Sequence, residues 1–287
     1  MPNYTIPKTF IPGALPRITE YGKLKGVAAA RDTIEIIPMD EWRDLFTHED
    51  HSDLTQFVPF QLDQDSSGSC ASEGSVGAMM CLRDANHQPF VLGNPWAQYY
   101  KASGGSDRGS SLDENIQLLM EDGMIPDSVW PRYDEDGRVV HSWQERPSNE
   151  AYAAAKNYRL LECSETSTSS NYIKEVGSGL WKGLPCYFGY PGHAIFGVRL
   201  LDENKVSAEE KFAANQIDEW IERKYTDTNM CRTIELVRDR CPEADQWYAK
   251  YKNSWGDWGV DGYGTIRLGS LSSSYGAFFP RVSSEPV

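Results

Sequence analysis

No stretch of this 287-residue chain approaches the roughly 20 consecutive apolar residues that a membrane-spanning helix requires. The opening Met1-Pro2-Asn3-Tyr4-Thr5-Ile6-Pro7 has neither the basic start nor the apolar core of a signal peptide, so a cytoplasmic location or delivery by a non-classical route is expected. Basic residues are scarce: 28 Lys and Arg stand against 42 Asp and Glu, a net charge of −14. Such a surface repels phosphate backbones and anionic lipid, which excludes nucleic acid and membrane as expected partners. The six cysteines, Cys70, Cys81, Cys163, Cys186, Cys231 and Cys241, form no C-x-x-C pair. That absence argues against a zinc ribbon or a thioredoxin-type site, and the expectation is six reduced thiols. Neither a metal nor a cofactor is expected. His48-Glu49-Asp50-His51-Ser52-Asp53 reads as a solvated loop rather than a ligand set. Gly104-Gly105-Ser106 lacks the Lys-Ser/Thr that a phosphate cradle needs. Repeats and low-complexity tracts are also absent.

What is present is an ordinary globular composition, 40% hydrophobic and 24% charged, with 9 Trp, 15 Tyr and 10 Phe, enough aromatics to pack two lobes and line a cleft. Residues 1–36 read as an N-terminal extension punctuated by Pro2, Pro7, Pro12 and Pro16, with a short helix over Tyr21–Arg31. Val76, Met79, Met80 and Arg83 give an amphipathic helix over 70–83. Leu112, Ile116, Leu119 and Met120 share a face of a helix over 112–122, opened by a Ser111/Glu114 capping box and stopped by Gly123 and Pro126. Weaker helices fall at 149–157 and 170–178. The period then changes to two, with strands predicted at 185–190, 193–201, 247–253 and 262–268. Helices first and strands later suggest an α+β fold with segregated lobes. One segment departs from this pattern. Residues 202–245 carry 12 acidic and 7 basic side chains, and the stripes Ala213/Ile217/Trp220/Ile221 and Met230/Ile234/Val237/Cys241 predict a helical hairpin inserted between two strands.

Three segments carry chemistry. Gly68-Ser69-Cys70 opens a helix whose free N–H groups would stabilise a thiolate, although a lone cysteine is more often a small buried hydrophobe. His193 heads an apolar strand, where a satisfied core histidine is the commoner outcome. Asn253-Ser254-Trp255-Gly256-Asp257-Trp258-Gly259 reads by itself as a glycine-rich turn. Together, with Gln64 six residues before Cys70 and Gly262-Tyr263 closing the third motif, they resemble the papain-like cysteine peptidases over roughly residues 37–280.

The resemblance implies a two-lobed fold, with a helical left lobe over 37–145 and a β-barrel-like right lobe over 146–287. The insertion at 203–246 would interrupt the right lobe and is a candidate protein-docking element. It further implies Cys70 as nucleophile, His193 as its base and acid, Asn253 as the residue orienting His193, and Gln64 as an oxyanion donor. Trp255 would shield the His–Asn bond, while Gly109 and Ser110 would lie along the backbone of a protein or peptide substrate. The implied reaction is peptide hydrolysis through a thioester. Acyl transfer to an amine by the same residues, or a non-catalytic component retaining the fold, are the alternatives.

This chain departs from the family pattern at several points. Ser67 replaces the usual cysteine three residues before the nucleophile, so that disulfide is absent. Ala71 replaces a bulky residue, and Glu73 stands where the family buries an apolar side chain, either capping the helix or perturbing the thiolate. The extension 1–36 is expected to be a partial cover of the cleft or docking arm, or else a surface strap on the right lobe. The insertion is expected at the pole opposite His193, with Trp220 as its anchor.

Overall fold

The structure is a computed structural model that describes residues 3–7, 11–48, 53–225 and 235–281. In chain order its elements are β1 (Ala14–Leu15), β2 (Val27–Ala29), α1 (Ala30–Thr33), α2 (Trp42–His48), α3 (Cys70–Ala85), α4 (Pro95–Ser103), β3 (Ser110–Ser111) and α5 (Leu112–Glu121). There follow α6 (Asn149–Ala155), β4 (Glu162–Glu165), α7 (Tyr172–Trp181), β5 (Cys186–Tyr190), β6 (His193–Asp202), α8 (Ala208–Tyr225), β7 (Trp247–Lys252), β8 (Tyr263–Arg267) and β9 (Ala277–Arg281). The class is α+β, as expected. The four predicted strands form where the period-two pattern places them. Helix α5 begins at its Ser111 cap, whose Oγ accepts from the Glu114 N–H at 3.3 Å. Glu114 does not return the bond but faces Arg108, so the capping box is half made.

Seven strands build one sheet in the order β2-β4-β9-β5-β6-β7-β8. Among the described residues β2 and β8 do not pair, so the expected barrel-like lobe is an open sheet rather than a closed one. Its centre is covered on both faces. Ala194, Phe196 and Val198 pack into the cluster around α3 and α5, whereas Ile195 and Leu200 pack into the cluster around α2, α7 and α8. Strand β6 is therefore apolar on both sides. Helix α3, predicted as amphipathic, is instead buried almost throughout: Cys70 to Leu82 are all enclosed. A helix lying between a sheet and neighbouring helices has no solvated face to supply an amphipathic contrast.

Three further expectations are corrected. Residues 27–33 form a short strand followed by one helical turn, not a helix over Tyr21–Arg31, because β2 adds to β4 as a parallel edge strand. Trp42 and Phe46, expected in the helical lobe, pack against Trp247 and Trp181 on the other side of the sheet. In the insertion, the predicted first helix forms as α8, opened by a reciprocal cap, Glu210 N–H to Ser207 Oγ at 3.1 Å and Ser207 N–H to Glu210 Oε2 at 2.9 Å. The predicted second helix lies partly outside the described residues. Its visible end, Val237–Asp239, is a 3-10 turn.

Candidate active site

Helix α3 begins at Cys70, so the thiol sits where the unpaired N–H groups of the first turn lie. Opposite, Pro191-Gly192 turns β5 into β6, with Gly192 at φ +79° and Tyr190 paired to His193 across the turn. The positive φ favours glycine there, and it places His193 at the very head of its strand. Strand β7 ends at Lys252, and Asn253 follows with its N–H on the Gly262 carbonyl at 2.8 Å. The antiparallel β6–β7 pairing brings these two ends together.

His193 Nε2 lies 2.8 Å from Asn253 Oδ1, and that same oxygen accepts the Ser254 N–H at 2.8 Å. A backbone N–H can only donate, so it fixes Oδ1, not the amide nitrogen, toward the ring. His193 Nε2 must then carry the proton, and Nδ1 is the ring nitrogen left to exchange one. Trp255 stacks on the imidazole at 4.6 Å between centroids, and Trp258 abuts Trp255 edge-on at 5.2 Å. Trp255 thus covers one face of the imidazole that bonds to Asn253.

Gln64 is buried, and its amide is oriented by two contacts: Ser254 Oγ donates to Oε1 at 2.8 Å, and Nε2 donates to the Ser67 carbonyl at 2.6 Å. Ser67, at the position of the missing family cysteine, bonds through its hydroxyl to the Gln64 carbonyl at 2.7 Å and ties the loop without a covalent link. The described Cys70, Cys81, Cys163, Cys186 and Cys241 are all free, while Cys231 lies outside the described residues. So do residues 49–52 of the histidine-containing loop.

The cleft is filled by the chain's own N-terminal segment. Gly13 and Ala14 donate their N–H groups to the Gly192 carbonyl at 3.2 and 3.4 Å, and Ser110 N–H donates to the Gly13 carbonyl at 2.9 Å. Strand β1 thereby pairs in parallel with β3. Gln64 Nε2 reaches the Ile11 carbonyl at 3.3 Å, so the segment engages the amide expected to serve as an oxyanion donor. Farther on, Arg17 pairs with Glu165 at 2.8 Å, and the N–H groups of Ile18 and Thr19 bond to Asp113. Residues 11–19 thus cross between the lobes, while the rest of the extension straps the sheet side: the Gly259 N–H bonds to the Asn3 carbonyl at 2.7 Å, Tyr4 meets Trp258 edge-on at 5.5 Å, and β2 edges the sheet.

This cover sets the electrostatics. Cys70 and His193 are both fully buried. Burial pushes the Cys70 thiol up to about 11, against the lowering effect of backbone hydrogen bonds from Ala194, Gly13 and Ala71. Burial likewise drives His193 down to about 3, with the Asn253 bond opposing it. With the segment seated, both groups are neutral near pH 7, because neither ion has water to solvate it.

Of the expected substrate-contacting pair, Ser110 bonds to the segment directly. Gly109 packs against Gly13 and donates its N–H to Tyr99 Oη at 3.0 Å. Sequence reasoning missed Asp107, whose Oδ1 accepts from both the Gly68 N–H at 2.7 Å and Tyr99 Oη at 2.8 Å, and so steadies the loop before Cys70. It also missed Arg132, which bonds to Glu73 at 3.1 Å. Glu73 therefore does not cap α3, but its carboxylate, when ionised, adds to the rise of the Cys70 thiol, the perturbation expected of it. Neither residue lies in a motif; only the unexplained buried Glu73 in the sequence called for a cationic partner.

Helix α8 leaves β6 at the end away from His193, where Asp202 pairs with Trp247. It nevertheless returns toward the site. Trp220 meets Tyr190 edge-on at 6.1 Å, and Tyr190 meets the His193 ring at 5.3 Å. The expectation that the insertion stays at the opposite pole fails because an 18-residue helix spans about 27 Å, enough to run back along the sheet.

No protein-family model matches the sequence, and no curated protein matches it. Solved structures do resemble the fold. Xylellain, a cysteine protease from Xylella fastidiosa, is 18% identical over 97% of this chain and all of its own, with a TM-score of 0.57. The proform of the ragweed pollen allergen and cysteine protease Amb a 11 is 12% identical over 96% of this chain and 77% of its own, at 0.56. Procathepsin B S9 of Trypanosoma congolense is 11% identical over 95% and 87%, at 0.55. The architecture shared with these proteins extends through both the helical side and the sheet. The chain has the fold of the papain-like cysteine peptidases.

Proposed function

We propose that this protein is a cysteine-type peptidase whose described form is latent. The observation that carries the reading is the 2.8 Å His193–Asn253 bond, which fixes an imidazole at the strand end that meets the start of α3, where Cys70 and the Gln64 amide also lie. His193 Nδ1 would take the Cys70 proton, and the thiolate would attack the scissile carbonyl carbon. The Gln64 amide and the Cys70 N–H would donate to the oxyanion. On collapse, the imidazolium would protonate the leaving amine, and water would then release the acid from the thioester. The substrate would be an extended peptide that takes over the backbone bonds now made by residues 11–15, accepting from the Ser110 N–H and donating to the Gly192 carbonyl.

Latency follows from the same geometry. The segment occupies the backbone partners, occupies Gln64, and keeps the dyad uncharged. The test is a peptide-library digest with a full-length variant whose segment cannot seat, compared with the same protein carrying Cys70→Ala. Cleavage that depends on Cys70 supports the reading, and cleavage in neither protein overturns it. Added amine nucleophiles in the same digest report any transfer in place of hydrolysis.

A further inference from the structure

Glu73 and Arg132 are a buried acid–guanidinium pair outside the dyad. Glu73 is fully enclosed on α3, one turn from Cys70, and Arg132 is 7% exposed. A buried pair is costly to desolvate and is often replaced by apolar side chains without loss of stability, so it is better explained by what it holds in place. Arg132 is held on four sides. Its own N–H donates to Asp127 Oδ1 at 2.9 Å, and its guanidinium lies 3.7 Å over the Trp96 ring. Nη1 donates to Glu73 Oε1 at 3.1 Å, and Nη2 donates to the carbonyl oxygen of Asp63.

Asp63 is the residue before Gln64. The other edge of this loop is already fixed: Gln64 N–H bonds to the Ser254 carbonyl at 2.8 Å, and Gly256 N–H bonds to the Leu62 carbonyl at 3.1 Å. Ser254 and Gly256 follow Asn253, so that edge moves with the His193–Asn253 end of the site. Arg132 supplies the tie from the loop to the nucleophile's own helix. The two donors of an oxyanion site must converge on one oxygen, and one sits in this loop while the other begins α3.

Resting on the peptidase reading above, we propose that Glu73 and Arg132 are positioning residues for the oxyanion site, setting the Gln64 amide against the Cys70 N–H. They touch no substrate. The pair acts on the step in which negative charge develops on the substrate oxygen, and it leaves binding along Ser110 and Gly192 alone.

The test uses the full-length chain, with Gly13→Leu as the open background for kinetics. Glu73→Leu and Arg132→Met should speed hydrogen exchange over residues 62–67 and lower kcat roughly tenfold or more, with KM unchanged. Alkylation of Cys70 by iodoacetamide develops no oxyanion, so its rate should stay within about twofold of the background in both variants. Glu73→Gln retains the acceptor for Arg132 and should restore most of the kcat. It also serves as the folded control if the leucine variant fails to fold. Unchanged exchange over 62–67 and unchanged kcat in Arg132→Met would overturn the proposal. So would a loss of alkylation equal to the loss of kcat, which would place the damage in the dyad. Faster exchange in a background that hydrolyses no peptide would uphold the anchoring and overturn the peptidase reading instead.

Discussion

A Cβ placed on Gly13 would lie 1.9 Å from the carbonyl oxygen of Gly68, two residues before the nucleophile. The segment can seat in the cleft only because residue 13 has no side chain. Real Cβ atoms do not approach backbone oxygen so closely, and Gly68 is itself held by Asp107. Gly13→Leu should therefore eject residues 11–15 without touching either lobe. We expect kcat/KM on peptide substrates and the alkylation rate of Cys70 each to rise at least tenfold, on the order of 1.4 kcal/mol or more of released inhibition. Peptide mapping by mass spectrometry should show Cys70 protected in the parent and labelled in the variant. Equal labelling in both would mean that the segment does not guard the thiol.

Part of this arrangement was legible from residue order, and part was not. The motifs around Cys70, His193 and Asn253 carry fixed local geometry, a helix start, a strand head and a strand end, and the meeting of the last two followed from the antiparallel order of β6 and β7. The course of residues 11–19 had no periodicity to announce it. Its bonds to Gly192, Ser110 and Asp113 are made by backbone groups, which every residue possesses. The Arg132 contact was hidden for a related reason: 59 residues separate it from Glu73, and no spacing rule spans that interval. The burial of α3 was masked by its serines, which pair internally, as Ser72 Oγ does with Asn115 Oδ1 at 2.7 Å. A sequence profile scores such residues as polar surface.

The roles of His193 and Asn253 should separate kinetically. In the open background, His193→Ala removes the imidazole proposed to move the proton, and kcat should fall by roughly a thousandfold or more. Asn253→Ala keeps the ring but releases Nε2, and Trp255 still stacks on the imidazole. A loss of roughly tenfold to a hundredfold is expected, with KM little changed. Circular dichroism must show both variants folded. Equal and complete losses would show that Asn253 does more than orient.

Glu73 makes stability depend on pH. Burial raises its carboxyl to about 8, outweighing the attraction of Arg132, and Asp63 adds to the rise. The carboxyl's ordinary value is 4.5. Between 4.5 and 8 the folded protein holds a proton that the unfolded chain has released, so unfolding free energy falls as pH rises across that window. The contribution is complete below the unfolded value and lost above the folded one. Urea melts of the parent at pH 5.5 and 8.5 should show the lower midpoint at the higher pH, and Glu73→Gln should flatten that difference. A Glu73→Gln protein with the same pH slope as the parent would assign the dependence to other groups.

Trp220 gives the insertion a bearing on the site. Its ring contacts Tyr190, whose ring in turn borders His193, and the remainder of α8 is fastened to β8 by Arg267 to Asn215 at 2.7 Å and to the 3-10 turn Val237–Asp239 by Arg238 to Asp218 at 2.8 Å. Trp220→Ala leaves those polar ties intact and opens space behind Tyr190. A half-buried tryptophan removed in this way should cost roughly 2 kcal/mol of stability. The freed Tyr190 should also widen the range of His193 orientations, lowering kcat severalfold in the open background with KM preserved, because no backbone group that would bind substrate has moved. Trp220→Phe refills most of the space and should recover both quantities. A stability loss with kcat intact would confine α8 to a packing role, and its insertion between β6 and β7 would then matter to the sheet and not to the chemistry.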